Sequence, residues 1–218
     1  MDNINIIEKK AKTVLQIADN IKSAIVTGEL KPGQRLIEVQ LCKLFDVKRN
    51  KIREALRILD VEGFVQITPN VGAAVRGFSR QDIESTYDIQ SVLDGLAVRL
   101  ATLFLTTEQL SSLENLLYKM ESTDKLELYA KYNEDFHGLF AAYSGNDRLT
   151  ALCKNMRINI KAFGDRSFFV PGQMAASNSE HREIFRAVSA KKPQEAEQIM
   201  RSHVIDAKNR LLIYLQKI

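Results

Sequence analysis

Lys48-Arg49-Asn50-Lys51-Ile52-Arg53-Glu54-Ala55-Leu56-Arg57 places five basic side chains in ten residues. The same stretch carries a helical apolar stripe. Ile52, Ala55, Leu56 and Leu59 recur at i, i+3, i+4 and i+7, so one face can dock on a core while the basic residues occupy the others. Residues 37–45, with Val39, Leu41, Leu44 and Phe45, read as a short helix just before it. Phe64-Val65-Gln66-Ile67 and Ala73-Ala74-Val75 read as strands after it, joined by the turn Pro69-Asn70-Val71-Gly72. Helix, turn at 46–48, basic helix and hairpin wing are the order of a winged helix-turn-helix, whose second helix enters the DNA major groove. The bland alternative is a solvated basic face, with Arg49 and Arg53 bridging to nearby acids.

Working outward, residues 9–27 repeat Val14, Ile17, Ala18, Ile21, Ala24 and Ile25 at helical spacing, and Gly28 follows as a C-cap. Leu30-Lys31-Pro32-Gly33-Gln34-Arg35-Leu36 reads as a Pro-Gly turn. Residues 1–76 thus form the DNA-binding domain, 77–80 a linker and 81–218 a second domain. There only helical patterns occur, near 80–104, 107–121, 123–143, 146–167, 173–190 and 193–216. Thr106-Thr107-Glu108-Gln109, Ser144-Gly145-Asn146 and Lys192-Pro193 separate them, and 164–172, with Gly164, Pro171 and Gly172, should break or kink one helix. The expected fold is mainly α: a winged helix-turn-helix with a small β-hairpin wing, then an all-α bundle of six or seven helices.

Composition agrees with this division. The chain has 218 residues, 45% hydrophobic and 27% charged, enough to bury a sizeable core. Its net charge of +4 is modest, but residues 1–75 hold 12 Lys/Arg against 9 Asp/Glu, whereas the rest hold 19 against 18. The positive excess lies where DNA is expected. No apolar run reaches the ~18 residues of a membrane span. Met1-Asp2-Asn3-Ile4-Asn5 lacks the basic start of a secretory signal, and Cys42 and Cys153 are two lone thiols. Together these lead to the expectation of a cytoplasmic protein.

The chain's three histidines all fall in the second domain. His137 follows Asn133 by one turn, beside Phe136 and Phe140. His181 leads Ile184, Phe185 and Val188, and His203 lies among Ile199, Met200, Ala207 and Leu211. Three inward imidazoles on three helices can converge on a divalent ion such as zinc, nickel, copper or iron. A single histidine on an apolar face is more often a hydrogen-bonded core residue, and the spacing is no compact metal motif.

The chain resembles the GntR family of bacterial transcription regulators, in the branch with an all-helical FadR-type C-terminal (FCD) domain. The resemblance rests on Leu30–Leu36, Val47-Lys48-Arg49, Ile52–Leu59 and Glu62-Gly63-Phe64-Val65. In the second domain it rests on Phe136-His137, Gly145-Asn146-Asp147-Arg148-Leu149, Glu180-His181-Arg182-Glu183-Ile184 and Met200-Arg201-Ser202-His203. It implies DNA contacts from Arg35, Arg49, Asn50 and Arg53, with Gly72 letting the wing approach the minor groove. Where relatives carry Ser, Thr and Pro, this chain has Lys48, Asn50 and Lys51. The lysines should add phosphate contacts, and Asn50 should favour adenine.

The resemblance further implies a divalent metal, zinc or nickel foremost, on His137, His181, His203 and Asn133. Relatives have Asp at the last position; an Asn carbonyl brings no charge, which favours an anionic ligand such as a small carboxylate effector. Gln90 and Asp94 stand where relatives have Arg and Glu, so Arg99 and Arg157 become the candidate effector-binding arginines. A homodimer on a pseudo-palindromic operator, most often as a repressor, completes the implied function. Three other readings stay open: a metal-responsive regulator, a metal-free pocket in which the histidines bond an acid directly, and a metal-dependent enzyme. The last finds no HExxH motif or nucleophile set in the sequence.

Overall fold

The computed structural model describes residues 13–26, 28–77, 79–162 and 170–216. The chain divides into two units, Met1–Ser79 and Arg80–Ile218. In the first, the order is α1 Val14–Val26, β1 Arg35–Leu36, α2 Glu38–Phe45, α3 Arg49–Val61, β2 Val65–Thr68 and β3 Gly72–Val75. The helical stripe found in the sequence is the buried one: Ile52, Ala55, Leu56 and Leu59 of α3 meet Ile17, Ile21 and Ile25 of α1 and Leu41 and Phe45 of α2 in one core. Val39, read as part of the apolar face of α2, is instead exposed. The α2–α3 turn depends on Asp46 in the left-handed region, φ 52°, from which the chain restarts at Lys48 in extended conformation.

The wing pairs β2 with β3, from Val65 opposite Val75 to Thr68 opposite Gly72. Gly72 has φ 107°, backbone that an L side chain rarely adopts. A third strand was not expected. Arg35 and Leu36 pair antiparallel with Ala74 and Ala73, giving the order β1-β3-β2. The Pro-Gly turn lays this segment beside β3, since Gly33 N donates to Val75 O at 2.9 Å and Val75 N to Gln34 O at 2.8 Å. The free edge of β3 is thereby closed.

The second unit is helical throughout its described residues: α4 Arg80–Phe104, α5 Thr107–Glu121, α6 Leu126–Tyr143, α7 Asp147–Ala162, α8 Gln173–Ser189 and α9 Pro193–Leu215. α5 opens on a full capping box between Thr106 and Gln109, and α9 on Pro193 in its first turn. α6 begins at Leu126, three residues later than the reading from 123, because Thr123 Oγ1 accepts the Lys125 N–H outside the helix. The expected continuation of α7 to 167, the break over 164–169, the start of α1 at 9–12 and Phe78 of the linker lie outside the described residues. α4 packs against α9, α7 and α6. It passes α9 closely at Gly95, where a Cβ would come within 2.7 Å of Arg201 Cγ. No helix among the described residues is long and apolar enough to cross a membrane.

Candidate functional site

The bundle brings the three histidines to one point. His137 on α6, His181 on α8 and His203 on α9 are buried, and their ligand atoms lie within 4.8 Å of one another. His203 Nε2 is 3.1 Å from His181 Nε2 and 3.3 Å from His137 Nε2. Outer partners fix the rings. His203 Nδ1 donates to Glu180 Oε2 at 2.6 Å, and Arg210 holds the same carboxylate at 2.8 and 3.0 Å. His137 Nδ1 lies 3.2 Å from Asp94 Oδ2, at ion-pair distance but off line for a full hydrogen bond. Asp94 also holds Arg157 and accepts from Gln90 Nε2 at 2.5 Å.

These carboxylates favour the Nδ1–H tautomer on His137 and His203, which turns two Nε2 lone pairs toward each other. Without a cation between them that approach is repulsive. Nitrogens around a tetrahedral ion with bonds of about 2.0–2.1 Å stand about 3.3 Å apart, so the donor set fits a divalent metal. Carboxylate–histidine pairs are the usual outer partners of such ligands.

The electrostatics agree. Burial, reinforced by the Arg157 charge and only partly offset by Asp94, lowers His137 to about 4. Burial and the neighbouring imidazoles hold His181 well below its ordinary value. Both rings are therefore neutral near pH 7, the ligating form. Burial alone would raise Asp94, but Arg157 and His137 outweigh it and bring it to about 2.

Beside the cluster lies a cavity of about 360 Å³, lined in part by Gln90, Asp94, Asn133, His137, Arg157 and His203. Among the described residues, every buried side-chain polar atom without a hydrogen-bond partner belongs to this neighbourhood: Gln90 Oε1, His137 Nδ1, Arg157 Nε and His181 Nδ1. Such atoms are rare in native interiors and concentrate where something binds. Asn133 and Arg157 are among the residues that line the cavity. Arg99 does not line it; it pairs with Glu197 at 2.9 Å and is 41% exposed, a correction to its reading as an effector ligand. Gln90 and Asp94 sit one turn apart on α4, whereas Arg99 follows Asp94 by five residues, about 140° around the helix. Asp94, Glu180 and Arg210 were not anticipated as partners of the site. Glu180 carried a usable signal, since it adjoins His181.

On the first unit, Arg35, Lys48, Arg49, Asn50, Lys51, Arg53 and Gly72 are all exposed. Arg49 and Arg53 stand one turn apart on α3, and each binds the carboxylate of Glu38 through Nε. The bridging alternative is thus realised, yet the two side chains remain 63% and 61% exposed.

Comparison with known proteins gives the same answer for both units. Residues 13–75 match the model of bacterial regulatory proteins of the gntR family, and residues 85–206 match the FCD domain. The chain is 30% identical over 208 residues to an uncharacterized HTH-type transcriptional regulator, YdhC, of Bacillus subtilis, covering 93% of this chain and 92% of that one. It is 26% identical to the Nta operon transcriptional regulator of Aminobacter aminovorans, over 82% and 85% of the two chains. The fold is that of E. coli McbR/YncC, with a TM-score of 0.72 at 22% identity over 93% of this chain and 98% of that one. A winged helix-turn-helix followed by a helical bundle of this kind defines a bacterial DNA-binding transcription regulator. The chain belongs to the GntR family, with an FCD domain as its second part.

Proposed function

We propose that the chain is a cytoplasmic, ligand-responsive repressor that binds a pseudo-palindromic operator as a homodimer and senses a small carboxylate in the cavity of its helical domain. The observation that carries this reading is the convergence of His137, His181 and His203 on one point beside a half-enclosed cavity. His137, His181 and His203, with Asn133 one turn before His137, would hold zinc or nickel. When bound, the ion supplies an electrostatic anchor for an anion. Arg157, held by Asp94, lines the same wall and is the guanidinium that would face a carboxylate there. The neutral donor set leaves the ion's charge uncompensated by its own ligands, which suits a carboxylate as a further ligand.

In the first domain, Arg49, Asn50 and Arg53 would read base edges, Arg35, Lys48 and Lys51 would take phosphates, and Gly72 would bring the wing backbone to the minor groove. No side chain caps α3 at Lys48, and the positive end of its helix dipole favours an outside acceptor such as a phosphate. We read the histidine site as sensory, not catalytic: the family regulates transcription, and the cluster is closed round by Asp94, Glu180 and Arg210 as orienting partners.

Thermal unfolding of the full chain with a panel of small organic acids, with and without chelator, tests this reading. An acid-selective rise in Tm that chelation removes supports metal-bridged sensing. A rise that survives chelation keeps the acid sensor and removes the metal. No rise with any acid, but a rise with metal alone, moves the assignment to a metal-responsive regulator.

A further inference from the structure

Glu38 opens α2, directly after Ile37, and its carboxylate lies between the two arginines of α3. Oε2 takes Arg49 Nε, and Oε1 takes Arg53 Nε at 3.1 Å. The acid is only 23% exposed, whereas both arginines project into solvent. Its place in the first turn of a helix also holds it, because the helix dipole favours a negative group there. We propose that Glu38 is the positioning residue that gives the DNA face its sequence discrimination, by holding Arg49 and Arg53 side by side in one orientation. The inference rests on the reading of those two arginines as DNA contacts.

Three physical consequences support this role. A long arginine side chain free in solvent samples many rotamers, and a clamp at Nε removes most of them before DNA arrives. Nε is the nitrogen nearest the stem, so engaging it leaves the paired terminal nitrogens as the edge that matches O6 and N7 of guanine. A carboxylate facing DNA also repels phosphates. It penalises every register in which the arginines meet only backbone, and matched bases offset that penalty. Burial alone would raise the Glu38 carboxyl, but its bonds to Arg49 and Arg53 outweigh burial and keep it below its ordinary value, so the clamp stays charged.

The test compares full-length wild type with Glu38→Gln, Glu38→Asp, Arg49→Ala and Arg53→Ala. Each is titrated with a duplex enriched from a randomised pool by the wild type and with a scrambled duplex of equal length, at several salt concentrations. Glu38→Gln should bind the scrambled duplex more tightly without a matching gain on the enriched one, so that their affinity ratio falls about tenfold. Glu38→Asp keeps the charge but is one methylene too short to hold both arginines. Its ratio should fall while scrambled-duplex affinity stays at the wild-type value. If Glu38→Gln tightens both duplexes equally and Glu38→Asp behaves as wild type, Glu38 is merely a surface charge and the inference is overturned. If neither arginine variant weakens the enriched duplex, the DNA-face reading falls first and takes this inference with it. Should Glu38→Gln fail to fold, as judged by its melt, the aspartate variant decides.

Discussion

His181 is fully buried, its Nε2 is 3.1 Å from His203, and its Nδ1 has no partner among the described residues. The contact with His203 is the one polar contact of that buried ring among the described residues, and a ligand role at Nε2 accounts for holding it there. His181→Ala should leave purified protein with well under half the wild-type metal content while basal DNA binding persists; equal metal content by elemental analysis would remove it from the ligand set. Protons compete for the same lone pairs, and the sign follows from where they bind. His137 titrates near 4 in the folded chain and near the ordinary 6.5 unfolded, and His181 is displaced in the same direction. Between those values the unfolded chain binds more protons, so stability is complete above about pH 6.5 and is lost as pH falls toward 4. For His137 alone the gap corresponds to on the order of 3 kcal/mol. Asp94, lowered from 3.8 to about 2, adds its own loss only at still lower pH. Urea unfolding of chelator-treated protein at pH 7.5 and pH 5 measures this; equal midpoints would mean the rings are not buried as neutral bases.

At the scale of elements, legibility follows periodicity. α3 was readable because its apolar stripe and basic faces alternate at helical spacing over thirteen residues, and the same rule put each histidine on an inward face. β1 was not readable, since two residues cannot show a period and pairing with Ala73 and Ala74 is a tertiary event. Asp94 and Arg210 escaped for a related reason. A helix pattern marks which face is buried, but not which distant charge meets a buried acid, and Asp94 and Arg157 are 63 residues apart. Arg99 and Arg157 looked equivalent in sequence; only the angle around α4 separates one from the site. The α4–α9 contact supplies a prediction of its own. Gly95 is helical, so alanine there should gain about 1 kcal/mol of propensity, yet its Cβ would strike the stem of Arg201 at 2.7 Å. Gly95→Leu, which adds bulk beyond that Cβ, should cost roughly 1–3 kcal/mol. Arg201→Ala in the same chain should recover part of the loss in a double-mutant cycle, and additive losses would show that the two do not meet.

At the scale of the whole molecule, the positive excess of the first unit and the cavity of the second make two different demands on one chain. Phosphate neutralisation releases counterions, so operator affinity should fall steeply and log-linearly with salt; carboxylate binding in the half-enclosed cavity should respond far less. An effector that shifts the operator equilibrium must bind the DNA-competent and DNA-incompetent arrangements unequally. The coupling is then reciprocal. If an acid weakens operator binding by some factor, saturating operator must weaken binding of that acid by the same factor. Calorimetric titration of the acid into free and operator-bound protein, at one salt concentration, measures the second factor, and operator titration with and without acid measures the first. A factor different from one, the same in both directions, establishes that the cavity and the DNA face are energetically coupled. A factor of one in both directions, with the acid still bound, would leave the cavity a binding site without control over transcription, because a ligand with equal affinity for both states shifts nothing however tightly it binds.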